Sequence, residues 1–438
     1  MLLNAADKAL WRLALPMIFS NITVPLLGLV DTAVIGHLDS PVYLGGVAVG
    51  ATATSFLFML LLFLRMSTTG LTAQAWGAKD PQRLARALVQ PLALALGAGV
   101  LIILLRLPLI DLALHIVGGS EAVLEQARRF LEIRWLSAPA SLANLVLLGW
   151  LLGVQYARAP VILLVVGNLL NIVLDLWLVM GLRMNVQGAA LATVTAEYAT
   201  LIIGLLMAKR VLTLRGVSLA MLKNAWRGDL RRLLALNRDL MLRSLLLQLC
   251  FGALTVFGAR LGSDIVAVNA VLMTMLTFTA YALDGFAYAV EAHSGQAYGA
   301  RDGSQLLEVW RAACRQSGMV ALAFALIYSL AGQYIIALLT SLPSLQQLAD
   351  RYLIWQTILP VVGVWCYLLD GMFIGATRGA EMRNSMAVAA AGFAVTLLTL
   401  PVLGNHGLWL ALAVFLALRG LSLALIWRRH WRRGTWFS

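Results

Sequence analysis

LALPMIFSNITVPLLGLVDTAVIG, residues 13–36, is long and apolar enough to cross a bilayer as a single helix. From Leu13 to Val30 it carries no ionisable residue; then comes Asp31. A helix rises ~1.5 Å per residue, so Asp31 lies roughly 27 Å along the axis from Leu13, in the far third of a ~30 Å hydrocarbon layer. A carboxylate facing lipid at that depth costs several kcal/mol, so the group must face a wet cavity or a partner, or carry a proton.

The rest of the chain repeats the pattern. Of 438 residues, 61% are hydrophobic and 12% charged, about half the charge of an ordinary soluble domain. Apolar runs of about 20 residues exclude a β-barrel, whose strands alternate over ~10 residues. Twelve spans are expected near 13–36, 44–75, 87–106, 135–156, 160–181, 187–208, 240–261, 265–292, 317–340, 353–376, 386–403 and 407–427. The formal charge of +13 reads as topology, not as nucleic-acid binding. Lys8 and Arg12, Lys79 to Arg86, Arg158, Lys209 to Arg238 and Arg428 to Arg433 collect on one side. The positive-inside rule makes that side cytoplasmic, with both termini on it. Cys250, Cys314 and Cys366 have neither disulfide nor metal spacing, and no cleavable signal is expected ahead of the first span.

Gln74-Ala75-Trp76-Gly77-Ala78-Lys79-Asp80 returns as Gln296-Ala297-Tyr298-Gly299-Ala300-Arg301-Asp302, a shift of 222 positions. The same shift carries Gly149 onto Gly371 and Gly153 onto Gly375. Six spans therefore pair with six. An even-numbered unit returns to its starting side, so the halves share one orientation about an axis along the membrane normal. The expected fold is an all-α polytopic membrane protein with twelve transmembrane helices in two pseudo-symmetric six-helix lobes. Its domains are an N-terminal lobe over 1–210, a cytoplasmic amphipathic linker over 211–238 and a C-terminal lobe over 239–438. In the linker, Leu222, Trp226, Leu230 and Leu233 share a helical face beside Lys223, Arg227 and Arg231, as in a helix lying on anionic lipid.

Polar groups inside the spans mark the candidate site. Asn171 and Asp175, spaced i, i+4, share a face of the fifth span, and Thr193 sits among small residues of the sixth. With Asp31 they would make an oxygen-rich site for a proton or a small hard cation. Pro16 and Pro25 each remove a backbone bond from the first span and permit a kink. The second half carries Asp284, Glu291 and Asp370; Arg65, Glu197, Arg243 and Arg419 also fall within spans, and some of these charges must pair or snorkel. No HExxH, GxSxG or clustered histidine supplies an enzyme's centre.

The first span through Gly36, the two Gln-Ala-(Trp/Tyr)-Gly-Ala repeats and the proline-containing fourth and tenth spans together resemble the multidrug and toxic compound extrusion (MATE) family, nearest its DinF branch. The likeness runs over essentially the whole chain. It implies a twelve-helix antiporter, without a cofactor, that exports amphipathic or cationic organic compounds against inward H⁺, or alternatively Na⁺, across a bacterial inner membrane. The family's first-helix carboxylate matches Asp31, its fifth-helix amide and carboxylate match Asn171 and Asp175, and its sixth-helix hydroxyl matches Thr193. Asn144, Asp370 and Asp284 fall in the expected substrate cavity. The seventh span has Gln248 and no carboxylate, a departure that weakens any ion site in the second lobe. A monomer in the bilayer is expected, with no nucleic-acid partner. The runner-up is a flippase for a lipid-linked saccharide or other amphiphile.

Overall fold

The structure is a computed structural model that describes residues 3–38, 40–228 and 230–438. For residues 23–32 it describes the backbone alone, so the side chains of Asp31 and Pro25 lie outside the described residues. The described chain is helical throughout its ordered elements. Its first helix, α1, runs Ala5–Gly36 and stays helical through both prolines. Eleven further helices are long and apolar enough to cross a bilayer. They are α2 (Pro41–Gly77), α3 (Pro81–Leu104), α4 (Glu121–Gly153), α5 (Arg158–Gly181), α6 (Asn185–Leu214), α7 (Leu230–Arg260), α8 (Ser263–Ala300), α9 (Gly303–Leu339), α10 (Pro343–Gly375), α11 (Gly379–Leu403) and α12 (Asn405–Arg433).

Their apolar side chains are mostly not buried in protein. Leu338 and Val402 are each 86% exposed, which water would penalise and lipid does not. The exceptions are α4 and α10, whose most apolar windows are 72% buried. These two helices, related by the repeat, are the inner staves of their lobes.

The chain divides into two compact units, Met1–Asn21 with Leu234–Ser438, and Ile22–Leu233. This differs from the division expected at 210 and 239, because α1 belongs to both. Its first half is held by the C-terminal helices: Asp7 pairs with Arg315 at 3.0 Å, and Trp11 Nε1 donates to Gln316 Oε1 at 2.9 Å. Further along, Asn21 Nδ2 donates to the carbonyl of Tyr281 at 3.1 Å, and Ile18 lies against Gly285. Beyond Asn21 the helix passes to the N-terminal unit, where Val34 and Ile35 enter its core.

The repeat is carried into three dimensions by matched contacts within each unit. A Cβ built on Gly149 would fall 2.6 Å from the carbonyl oxygen of Arg65, and one on Gly371 would fall 2.7 Å from that of Ala287. Arg65 and Ala287 are themselves related by the same shift. Small residues thus let α4 close on α2 and α10 close on α8. At the helix ends, Asp80 and Asp302 cap the following helices through their carboxylates. The residues before them, Lys79 and Arg301, both adopt left-handed φ near +53° to +54°.

The linker departs from the sequence reading. It is not one amphipathic helix over 211–238: α6 runs on to Leu214, a short helix covers Leu219–Asn224, and α7 starts at Leu230. Gly216 (φ +80°) and Gly228 (φ +150°) break the path, so the four-residue rhythm of Lys223, Arg227 and Arg231 never forms a stripe. The segment is instead strapped to α3. Gln82, Arg86 and Gln90, one face at i, i+4, i+8, donate to the carbonyls of Met221, Arg227 and Trp226 respectively. Ala225 is fully buried beneath the strap, whereas Trp226 points away from the protein.

Candidate functional site

In the N-terminal unit the spacing of Asn171 and Asp175 does bring them onto one buried face of α5. Asp175 is 0% exposed, Asn171 2% and Thr193 9%. Asn171 Nδ2 donates to Thr193 Oγ1 at 3.4 Å, and Thr193 Oγ1 donates to the carbonyl of Ala189 at 3.2 Å. Asn171 Oδ1 is buried and has no hydrogen-bond partner among the described residues. A buried acceptor left open costs ~1–3 kcal/mol, so this oxygen is a ready place for a proton donor or a cation. Directly after Asp175, α5 widens into a π-helical turn, Leu176–Gly181, closed by Leu182 N to Trp177 O at 2.8 Å. Such turns recur at functional sites because they swing side chains out of the regular helical register.

Asn144 does not join this cluster. Its Nδ2 donates at 3.1 Å to the carbonyl of Glu197, one turn beyond Thr193 on α6. The Glu197 carboxylate in turn pairs with Arg134 at 3.2 Å and accepts from Ser141 Oγ. Arg134, on α4, reaches over the ring of Phe58 as well. This α4–α6 ion pair leaves no mark in the spacing of the sequence. Glu197 lies within a span and calls for a partner, but Arg134 stands at the edge of its span and 63 positions away.

In the C-terminal unit Asp370 is buried and doubly engaged. Arg243 of α7 donates to its Oδ2 at 2.7 Å, and Arg419 of α12 donates to the same oxygen. Two guanidinium groups on one carboxylate leave the triad with a net positive charge, so Asp370 is no open acceptor for a cation. Asp284, half-buried on α8, lies within electrostatic range of Cys366 and Tyr367 of α10. A second polar knot, unanticipated, joins Asn269 and Asn405 by reciprocal amide bonds of 2.9 Å, with Trp409 Nε1 donating to Asn269 at 3.1 Å. Its only trace in the sequence was a pair of asparagines at span ends. Among the described residues no group of three or more His, Cys, Asp or Glu is placed to hold a metal ion.

A two-lobed bundle of apolar helices with carboxylates buried inside each lobe has the build of a membrane transporter, and comparison with known proteins specifies it. The chain belongs to the MATE family: the MatE family model matches it twice, over residues 16–177 and 240–403, once per repeat. It is 87% identical to the DNA damage-inducible protein F of Escherichia coli, over 100% of this chain and 95% of that one. It is 26% identical to Protein DETOXIFICATION 45, chloroplastic, of Arabidopsis thaliana over 98% of this chain and 79% of the relative. The probable multidrug resistance protein NorM of Acinetobacter baylyi is 23% identical over 96% and 94%. Among solved structures, a MATE transporter in the straight conformation superposes with a TM-score of 0.85, and an outward-facing multidrug resistance MATE transporter of the MOP superfamily with 0.83. Each is 23% identical and covers 98% of this chain and 96% of the other, so these matches carry the fold. The protein is thus a multi-pass membrane transporter of the MATE family, not an enzyme.

Proposed function

We propose that this protein is a secondary antiporter that exports amphipathic or cationic organic compounds across a bacterial inner membrane against inward H⁺. Both termini face the cytoplasm in this reading. The coupling site is Asp31 with Asn171, Asp175 and Thr193. The observation that carries it is a matter of register. Ile35, Val179 and Ala189 belong to one buried apolar cluster that joins α1, α5 and α6. Asp31, Asp175 and Thr193 each stand four residues from one of them, and in each case on the side away from the nearer helix end. One helical turn is ~5.4 Å, so each of the three positions lies one turn inward of that cluster, and Asn171, four residues before Asp175, has an Oδ1 without a partner among the described residues.

Protonation of the carboxylates removes negative charge from the lobe and weakens its hold on a cationic substrate, which leaves outward. Substrate binding from inside favours loss of the proton. Ion and substrate prefer opposite charge states, and a coupling of ~1–3 kcal/mol suffices to alternate them. H⁺ is favoured over Na⁺ because a buried carboxylate such as Asp175, 0% exposed, takes up a proton without further ligands, whereas Na⁺ needs several oxygens held in place. The flippase alternative would draw on Arg243 and Arg419 to hold a phosphate, but both are engaged with Asp370. The test is efflux of a fluorescent cationic dye from vesicles under an imposed pH gradient and, separately, an imposed Na⁺ gradient. Transport driven by pH alone is expected. Transport driven by Na⁺ alone would move the reading to Na⁺, and dye movement indifferent to both gradients would overturn antiport.

A further inference from the structure

One turn beyond Thr193 on α6, Glu197 stands inside the N-terminal unit with its charge matched by Arg134 of α4 at 3.2 Å. The pair closes into a ring. Arg134 Nη2 donates to Glu197 Oε1, and Arg134 Nη1 donates to Ser137 Oγ. Ser137 and Ser141 share a hydroxyl bond of 3.2 Å, and Ser141 Oγ donates to Glu197 Oε2. Every contact treats the carboxylate as an acceptor, as its ionised form is. Both partners are also held from outside the ring. The guanidinium lies 5.4 Å from the centre of the Phe58 ring of α2, and Asn144 donates to the Glu197 carbonyl at 3.1 Å.

The ring reaches the candidate coupling residues through α6. Thr193 and Glu197, spaced i, i+4, share one helix face, and Thr193 accepts from Asn171 of α5 at 3.4 Å. As a pair, Glu197 and Arg134 present no net charge to that site. Either partner alone would present a full charge within a turn or two of α6. At such separations, in the partly dry interior of a lobe, one charge changes the proton affinity of another. Among the described residues of the unit, the other buried charges are Arg65 of α2 and Asp175 of α5. From α1 the sequence adds Asp31, whose side chain lies outside the described residues. Glu132 is on the opposite face of α4 from Arg134, and the Tyr198 phenol donates to the carbonyl of Leu136 at 2.8 Å.

We propose that Glu197 and Arg134 are positioning residues whose mutual neutralisation sets the pH range over which the coupling site takes up and releases protons. The inference rests on the reading of Asp31, Asn171, Asp175 and Thr193 as that site.

The test is dye efflux from vesicles under a fixed pH gradient while the absolute pH is stepped, with rates expressed per folded protein. Glu197→Gln keeps the shape and leaves Arg134 uncompensated. Added positive charge opposes proton uptake, so the efflux profile should move to lower pH, by roughly one pH unit. Arg134→Gln leaves Glu197 uncompensated and should move the profile the other way. The double variant Glu197→Gln/Arg134→Gln is neutral again and should return the profile to the wild-type position, and Glu197→Asp, which keeps the charge, should hold it there. The side chains of Arg134 and Glu197 are 12% and 25% exposed, so neither single loss strands a fully buried charge. Should one single variant fail to fold, the other and the double carry the comparison. Profiles that lose height without moving, or that move the same way in both single variants, overturn the inference and make the pair a structural brace. Asp31→Asn and Asp175→Asn, run alongside, separate the two readings. If they abolish the response to the gradient while the profiles of the pair variants stay in place, the tuning role alone falls. If gradient-driven efflux survives both, the coupling reading falls and the tuning role falls with it.

Discussion

Asn171 donates to Thr193 across 3.4 Å between α5 and α6 while its own Oδ1 stays buried and unpaired among the described residues. An acceptor without a partner among the described residues contributes nothing there to stability. Replacing Asn171 by Leu, similar in size and apolar, should therefore leave the fold nearly as stable, within about 1 kcal/mol. Ion-driven efflux should fall at least about tenfold, the equivalent of ~1.4 kcal/mol of lost coupling. Initial rates in vesicles, beside thermal unfolding of the same preparation, check both halves of this expectation. A variant that unfolds early, or one that transports normally, goes against it.

The triad of the C-terminal unit makes a prediction of sign. Asp370→Asn leaves two buried guanidinium groups facing a neutral amide and should cost ~3–5 kcal/mol. Arg243→Gln leaves one arginine on one carboxylate, a balanced pair, and should cost distinctly less. Chemical denaturation of both variants in one detergent decides the order. If Arg243→Gln proves the more damaging, Asp370 is not the charge that holds the triad together.

Gly149 and Gly371 should respond alike, because each faces a carbonyl oxygen at the related position of the neighbouring helix. Gly149→Val and Gly371→Val are each expected to destabilise by ~1–3 kcal/mol through overpacking. Gly97, with nothing within 4 Å of its Cβ position, provides the control: Gly97→Ala should be neutral or mildly stabilising. Thermal unfolding of the three variants is the measurement, and a sharp difference between the two valines would break the equivalence of the lobes.

The strap on α3 should be visible to a protease. Gln82→Leu/Gln90→Leu removes two of the three side chains that hold the carbonyls of residues 221–227. Trypsin should then cut at Lys223 and Arg227 several-fold faster in the folded protein, since cleavage follows local opening. Unchanged cleavage would mean that burial of Ala225 alone secures the segment.

What was legible in the sequence follows from the physics of each signal. Spans are legible because a bilayer demands about 20 apolar residues at a stretch, and Leu13–Val30 meets that demand openly. The repeat is legible because its caps, Asp80 and Asp302, and its close contacts, Gly149 and Gly371, tolerate few other residue types. Asn171 and Asp175 are legible as one face because helical spacing is local. The bond from Asn171 Nδ2 to Thr193 Oγ1 crosses between helices and is not local. Partners across helices leave no such mark: nothing local ties Arg243 to Asp370, 127 positions on, or Arg134 to Glu197. The split allegiance of α1 is invisible for a related reason, since apolar residues run through both its halves and cross-helix contacts such as those of Asp7, Trp11, Ile18 and Asn21 reveal where the first half docks. The linker misled because its four-residue rhythm is real, yet Gly216 and Gly228 interrupt the helix that would have displayed it.

In the proposed mechanism, coupling resides in the N-terminal lobe. Dye efflux from vesicles under an imposed pH gradient tests it most directly, with Asp31→Asn, Asp175→Asn and Asp370→Asn run beside the wild type and rates expressed per folded protein. The account predicts that the gradient no longer accelerates efflux in Asp31→Asn or Asp175→Asn and still does so in whatever fraction of Asp370→Asn folds. Gradient-driven efflux that survives both N-terminal substitutions and disappears with Asp370→Asn would contradict it.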